Sequence, residues 1–131
     1  MDLELISQIQ MSSNDKTLAE IIIEILEKDC YSSFKMLTAF VSYGGISGLS
    51  DFINKSSVYE KKAIIGIDNK ITSVEALDEM LRIGFTCKVA HNSSSFIYHP
   101  KLYLFENVQS YSVIIGSGNL TTGGLVYNDE C

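Results

Sequence analysis

The sequence predicts an α/β sandwich whose early strands run parallel. Three short apolar runs, 34–42, 62–67 and 85–90, are rich in β-branched and aromatic residues, which favour strands. Amphipathic helical segments of about a dozen residues alternate with them, as in sheets built from parallel strands and crossover helices. Two further apolar runs flank the polar gap 106–110 and predict a hairpin. Because a hairpin adds an antiparallel pair, we expect a mixed sheet.

Each predicted helix has recognisable end signals. The first, 17–28, follows the capping side chains of residues 12–15, and its apolar residues recur at helical spacing. A glycine turn over 44–48 leads into a second helix that ends near Lys55. A weakly amphipathic segment, 3–10, precedes the first helix and is a candidate strand.

The third predicted helix begins after Ser73, which can cap its first turn, and ends at Gly84, where a C-terminal glycine is favoured. Helical spacing predicts that its inner stripe consists of Val74, Leu77, Met80 and Leu81.

Composition predicts a single globular domain. The chain has 131 residues, 46% of them hydrophobic, and no composition shift marks an internal boundary. Its net charge of −6 argues against coating nucleic acid by bulk electrostatics, although it permits a local basic site. No apolar run approaches the ~20 residues that span a bilayer. The acidic start and three widely spaced cysteines are typical of a reduced, cytoplasmic protein without membrane contact.

Chemically active side chains cluster at one end of the predicted hairpin. Strand alternation places His99 and Lys101 on one face, with Leu102 and Leu104 on the other. A turn centred near Val108 places residue 99 opposite 117 and residue 101 opposite 115. An imidazole, an ammonium and the polar Ser117 and Asn119 then converge, which suits a phosphate group.

Other interpretations of these motifs remain. His99-Pro100-Lys101 alone is usually a strand start, and the glycines flanking Ser117 more often form a tight turn than a phosphate cradle. A metal set of Cys87, His91 and His99 matches no compact zinc spacing, and Lys101 beside His99 would repel a cation. We therefore expect no metal.

The C-terminal motifs resemble the phospholipase D superfamily. They are His99-Pro100-Lys101-Leu102-Tyr103, then 116–121, Gly123-Gly124-Leu125 and Asn128-Asp129-Glu130. The closest likeness is to its bacterial nuclease branch, which includes metal-independent restriction endonucleases and domains attached to some DNA helicases. The resemblance implies a three-layer α/β/α sandwich with a mixed, largely parallel central sheet, and one catalytic domain spanning 1–131.

The resemblance also implies an activity, namely a metal-independent DNA endonuclease of a restriction or phage-defence system. His99 would form a phosphohistidine, Lys101, Ser117 and Asn119 would bind the phosphate, and Glu130 would orient the histidine. No cofactor is implied. Because the chain carries one motif, the resemblance implies a homodimer with a composite site. We expect the chain to be the N-terminal part of a longer protein, with a fused or separate DNA-recognition or helicase module.

One position departs from the family pattern, since the signature aspartate is Glu106 here. That aspartate is usually structural in the family, so the chemistry is unaffected. Two alternative functions stay open. One is a non-catalytic nucleic-acid-binding or dimerisation module that keeps the phosphate site. The other is a phospholipid-processing enzyme on the same fold, which the lack of a membrane-binding amphipathic stretch disfavours.

Overall fold

The computed structural model describes residues 16–68, 70–93 and 97–127 of the chain. In chain order, the elements are α1 (Leu18–Glu27), β1 (Ser33–Thr38), α2 (Tyr43–Lys55), β2 (Glu60–Gly66), α3 (Val74–Arg82), β3 (Thr86–Ala90), β4 (Lys101–Glu106), β5 (Tyr111–Ile115) and a π-helical turn (Gly123–Tyr127). The candidate strand 3–10 and the capping residues 12–15 lie outside the described residues. The cap observed on α1 is Thr17, which forms a capping box with Glu20.

The five strands form one mixed sheet in the order β3-β2-β1-β4-β5. β1, β2 and β3 are parallel, β4 is antiparallel to β1, and β5 is antiparallel to β4. The α/β class and the parallel early strands are therefore confirmed. None of the helices in the described part of the chain has the length and apolar character that a bilayer crossing requires.

One face of the sheet carries the hydrophobic core. Phe34 on β1 stacks on Phe105 of β4 at 4.2 Å between ring centroids and meets Phe85 edge-on at 5.6 Å. All three helices pack on this face through a single cluster of buried residues, to which α1, α2 and α3 contribute Ile22, Leu49 and Met80, for example. Among the described residues the architecture is thus a sheet with helices on one side.

The opposite face, which we call the open face, is not covered by described residues. Cross-strand pairing aligns an apolar row over four strands, Ile64, Leu37, Leu102 and Ile115. A second row carries Lys62, Lys35, Leu104 and Val113, and Glu60 and Glu106 follow it. The glutamates form salt bridges with the lysines. A groove of about 460 Å³ runs along this face.

The hairpin register differs by one residue from the sequence prediction. Leu102 pairs with Ile115, and the Gly116 amide donates to the Lys101 carbonyl at 3.3 Å. Residue 101 therefore lies opposite 116, not 115, and by the same register 99 aligns with 118, not 117. The reason is the even, four-residue loop 107–110, in which the Asn107 side chain accepts bonds from the Gln109 and Ser110 amides. The turn centre consequently falls between Val108 and Gln109.

Two helix predictions also need correction. Residues 44–48 all lie inside α2, which begins at Tyr43 after the Ser42 cap, and do not form a turn before it. In α3 the predicted Met80 is buried and Leu77 packs partly buried against the core, but Val74 and Leu81 are 70% and 57% exposed, and the other buried residues are Ala76 and Glu79. The helix turns a charged residue inward because Glu79 has partners there: Ser50 of α2 donates at 2.6 Å, and Arg82 donates through two nitrogens.

The Glu79 contacts predict an acid-sensitive bond between α2 and α3. The bonds from Arg82 and Ser50 lower the pKa of Glu79 from its ordinary value of 4.5 to about 2. Since the folded-state pKa is depressed, the stabilisation is complete above about pH 4.5 and is lost as the pH falls toward 2. We expect Glu79→Gln to lower the free energy of unfolding by about 1–2 kcal/mol at neutral pH and by much less near pH 2. Urea unfolding across this range measures the difference, and equal losses at both ends would contradict the prediction.

Candidate active site

The candidate site lies at the edge of the sheet where the parallel strands end. β1 ends at Thr38 and β5 at Ile115, and antiparallel β4 begins there with Lys101. α2 also begins at this edge. Active groups of open α/β sheets lie at such edges because loops from several strands meet there.

His99 and Lys101 are in direct contact. Lys101 lies at the start of β4 with only 7% of its surface exposed, and its ammonium reaches the exposed His99 imidazole, 2.9 Å from Nε2 and in contact with Nδ1 as well. It also donates to the His99 carbonyl at 3.1 Å. The contact places an ammonium, which can only donate, beside a ring whose nitrogens donate or accept according to the tautomer.

The 116–121 loop is held beside this pair by Thr38. Thr38 is the cross-strand neighbour of Lys101, and its hydroxyl accepts a bond from the Leu120 amide at 3.3 Å. The residue before Leu120 is Asn119, so the Asn119 backbone lies next to the strand position of Lys101. On the same face, the Tyr103 hydroxyl donates to the Gly118 carbonyl at 2.8 Å. Two buried side chains thus hold the loop on either side of Asn119.

The other wall of the site is the start of α2. The Leu120 carbonyl accepts a bond from the Ser42 amide at 3.0 Å, and the Ser42 hydroxyl accepts from the Gly45 and Thr122 amides. The loop and the helix are therefore bonded directly. The N-terminus of a helix carries a partial positive charge, which favours an anion at this edge.

Three buried side-chain atoms at this edge have no hydrogen-bond partner among the described residues: Asp68 Oδ2, Tyr98 OH and Asn119 Oδ1. Such atoms are rare in folded proteins because an unpaired buried polar group costs free energy. Asn119 is one of the predicted phosphate ligands, and Tyr98 is the neighbour of His99. Burial raises the pKa of the Tyr98 hydroxyl, which keeps it protonated.

The structure brings together most of the predicted site residues. His99 and Lys101 touch, and Asn119 and the exposed Ser117 lie in the adjoining loop. Glu130 lies outside the described residues. Glu106 lies at the far end of β4, about 17 Å along the strand from Lys101, where it contacts Lys35. Among the residues considered for a metal, His91 instead bonds Asp68.

Sequence reasoning missed three supporting residues, Thr38, Phe40 and Tyr103. The Thr38 hydroxyl also donates to the Phe40 carbonyl at 3.0 Å, and the Phe40 ring meets the His99 ring edge-on at 5.6 Å between centroids. The available signal was a threonine at an inward position of a buried strand. A buried polar side chain needs a hydrogen-bond partner, and the partners of Thr38 are backbone groups of the candidate site, the Leu120 amide and the Phe40 carbonyl.

Thr38 offers a test of this support. We expect Thr38→Val to lower the free energy of unfolding by about 1–2 kcal/mol, because the buried Leu120 amide loses its acceptor. Thr38→Ser keeps the hydroxyl and is the matched control. Thermal unfolding of both variants measures the difference, and an equal loss in the serine variant would show that the methyl group, not the hydroxyl, matters.

No protein-family model and no curated protein matches the chain. The class that fold and site define is an α/β domain with a histidine–lysine pair at the strand ends.

Proposed function

We propose that the chain is a metal-independent phosphodiesterase domain, and specifically a DNA endonuclease of a restriction or phage-defence system. The observation that carries the proposal is the contact between the buried Lys101 ammonium and the His99 imidazole, with the Asn119 loop bonded alongside. A neutral imidazole is a nucleophile, and a buried ammonium beside it can neutralise a phosphate.

The first chemical step forms a covalent intermediate. A His99 ring nitrogen attacks the phosphorus, and the bond from phosphorus to the leaving oxygen breaks. The leaving oxygen takes a proton from the imidazolium of His99 in a second subunit. Because the Lys101 ammonium contacts the ring nitrogens in the free chain, an incoming phosphate must draw the ammonium away before a ring nitrogen can attack.

The second step returns the enzyme to its starting state. The second subunit's His99, now neutral, takes a proton from water, and the hydroxide attacks the phosphohistidine. The bond from nitrogen to phosphorus breaks, which releases a phosphate monoester and restores both histidines. Lys101 and Asn119 stabilise the charge on the non-bridging oxygens, with help from Ser117 and the start of α2.

A homodimer follows from the need for two histidines. The chain has two in total, and His91 is held by Asp68 at the end of β2 and β3, away from β4. A two-fold axis beside His99 would bring a second His99 to the same phosphate.

Glu130 is proposed to fix the orientation of the histidine by accepting a hydrogen bond from a ring N–H. We expect Glu130→Ala to slow cleavage about tenfold or more while the dimer persists. Sedimentation measures the dimer and a cleavage assay the rate. A rate equal to that of the unchanged chain would make Glu130 a surface charge.

The proposed fold is the three-layer sandwich of the phospholipase D superfamily. The open face supports it, because a row of apolar side chains on four strands lacks cover from described residues. A third layer would bury that row. We also propose that a fused or separate recognition or helicase module selects the DNA, since a net charge of −6 provides little nonspecific attraction.

The deciding experiment is cleavage of supercoiled plasmid in excess EDTA, run beside a vesicle assay for phospholipid hydrolysis. We expect nicked and linear DNA despite the chelator and no lipid product. Binding of DNA without cleavage would favour the non-catalytic module, and lipid hydrolysis alone would favour the lipase. Cleavage that stops in EDTA would overturn the metal-free mechanism.

A further inference from the structure

His91 and Asp68 form a second polar pair at the active edge of the sheet. His91 follows β3 directly, and Asp68 lies two residues beyond the end of β2. His91 Nδ1 and Asp68 Oδ1 are 2.6 Å apart, and the Asn92 amide donates to the same oxygen at 3.2 Å. The Asp68 side chain is 11% exposed, whereas the His91 ring is 64% exposed.

This geometry fixes one side of the imidazole and leaves the other available. With Nδ1 directed to Asp68, Nε2 is left for another partner on an exposed ring, and in the imidazolium form it donates a hydrogen bond. The Asn92 amide and then the His91 ring lower the pKa of Asp68, so the carboxylate stays ionised. A fixed carboxylate behind an exposed imidazolium is suited to holding an anion in front of it.

The position of the pair relates it to the candidate active site. β2 and β4 flank β1, and β3 lies one strand further out. At about 4.8 Å per strand, the pair lies about 10–14 Å from the start of β4. A DNA strand that passes the candidate active site presents further backbone phosphates within this distance, since it carries one phosphate per about 3.4 Å of helix axis.

We propose that His91, held by Asp68, binds a second backbone phosphate of the nucleic acid, on the same strand as the cleaved bond. The inference rests on the proposed function and adds to it a second contact on the same strand. Asp68 is a positioning residue, because it acts through the ring of His91.

The contact depends on pH through the charge of His91. Besides Asp68, the charged groups within three residues of the pair in sequence are Lys70 and Lys88, Tyr98 precedes β4, and Glu75 lies in the first turn of α3. Of these, Asp68 contacts the ring. DNA binding should therefore strengthen as the pH falls through the range in which histidine becomes charged.

The test measures binding of a short fluorescein-labelled DNA duplex by fluorescence anisotropy, in a His99→Ala background that prevents cleavage. We expect His91→Gln to weaken DNA binding about three- to tenfold at about pH 6 and to leave it unchanged at about pH 8. The salt slope, which is the slope of the logarithm of the binding constant against the logarithm of the salt concentration, should fall in magnitude by about one. Asp68→Asn should weaken DNA binding at about pH 6. His91→Lys should bind the duplex as tightly at about pH 8 as at about pH 6, because lysine stays charged at both pH values. Lys55→Gln, at the opposite end of α2, is the charge control.

The outcomes separate this inference from the proposed function. Duplex binding with the same pH dependence and salt slope in His91→Gln would overturn the His91 contact and leave the endonuclease proposal intact. Weakening in Lys55→Gln equal to that in His91→Gln would also overturn it, because the effect would then be general electrostatics. A parent chain that binds no DNA at either pH would overturn both proposals.

Discussion

Replacing His99 by alanine is expected to reduce chelator-resistant DNA cleavage at least about a thousandfold. The variant lacks the proposed nucleophile, and a composite dimer site also loses its proton donor, since both functions come from the same residue in two subunits. In enzymes with a covalent intermediate, loss of the nucleophile costs about a millionfold. His99 is exposed, and its ring contacts the Lys101 ammonium and the Phe40 ring but no described core residue of the helices, so the fold should persist.

Plasmid cleavage in excess EDTA measures this effect. Val108→Ala, at the fully exposed tip of the hairpin, is the control for handling and expression. Mixed dimers give a sharper test: chains carrying His99→Ala, mixed with unchanged chains, should lose activity in proportion to the mixed fraction, because each composite site needs both histidines. Full activity of the mixed dimer would contradict the shared site.

Replacing Gly45 by alanine is expected to displace the loop that carries Asn119 and so to lower both stability and cleavage rate. Replacing Gly48 by alanine is expected to do neither. Both glycines lie in α2. A Cβ at residue 45 would lie 2.5 Å from the Leu120 carbonyl oxygen and 2.8 Å from Thr121 Cα, both backbone atoms. A Cβ at residue 48 meets nothing within 4 Å. The two substitutions therefore compare a clash with open space in one helix.

We expect Gly45→Ala to cost about 1–3 kcal/mol of stability and to slow cleavage about a hundredfold, because it displaces the loop that carries Asn119. Gly48→Ala should raise stability by about 0.5–1 kcal/mol at unchanged rate, since alanine is the better helix former. Thermal unfolding and plasmid cleavage measure both quantities. Equal behaviour of the two variants would mean that α2 does not hold the loop.

Local patterns in the sequence were sufficient to predict the order and type of the central elements. The apolar runs around Phe34, Ile65 and Phe105 are long and β-branched enough to predict three of the strands, and Ser73 and Gly84 predict the ends of α3. The pairing of His99 with Lys101 also followed from local information, because residues two apart in an extended segment share a face.

Features that depend on distant partners could not be predicted. The inward orientation of Glu79 depends on Ser50, which is 29 residues away in sequence. The support of the Asn119 loop by Thr38 spans 82 residues. The one-residue error in the hairpin register has a different origin. The apolar pattern alone does not distinguish a loop with an odd number of residues from one with an even number, and the Asn107 side chain stabilises a four-residue loop.

The open face has a consequence for the heat capacity of the chain. Unfolding normally raises the heat capacity by about 12–15 cal/mol/K per residue, because apolar surface buried in the native state becomes hydrated. Ile64, Val113 and Ile115 are already 37%, 45% and 72% exposed in the folded chain. Less apolar surface is therefore newly hydrated on unfolding, and the dependence of stability on temperature should be flatter than in a protein of this size with both sheet faces covered. A third layer over that face would restore the usual curvature.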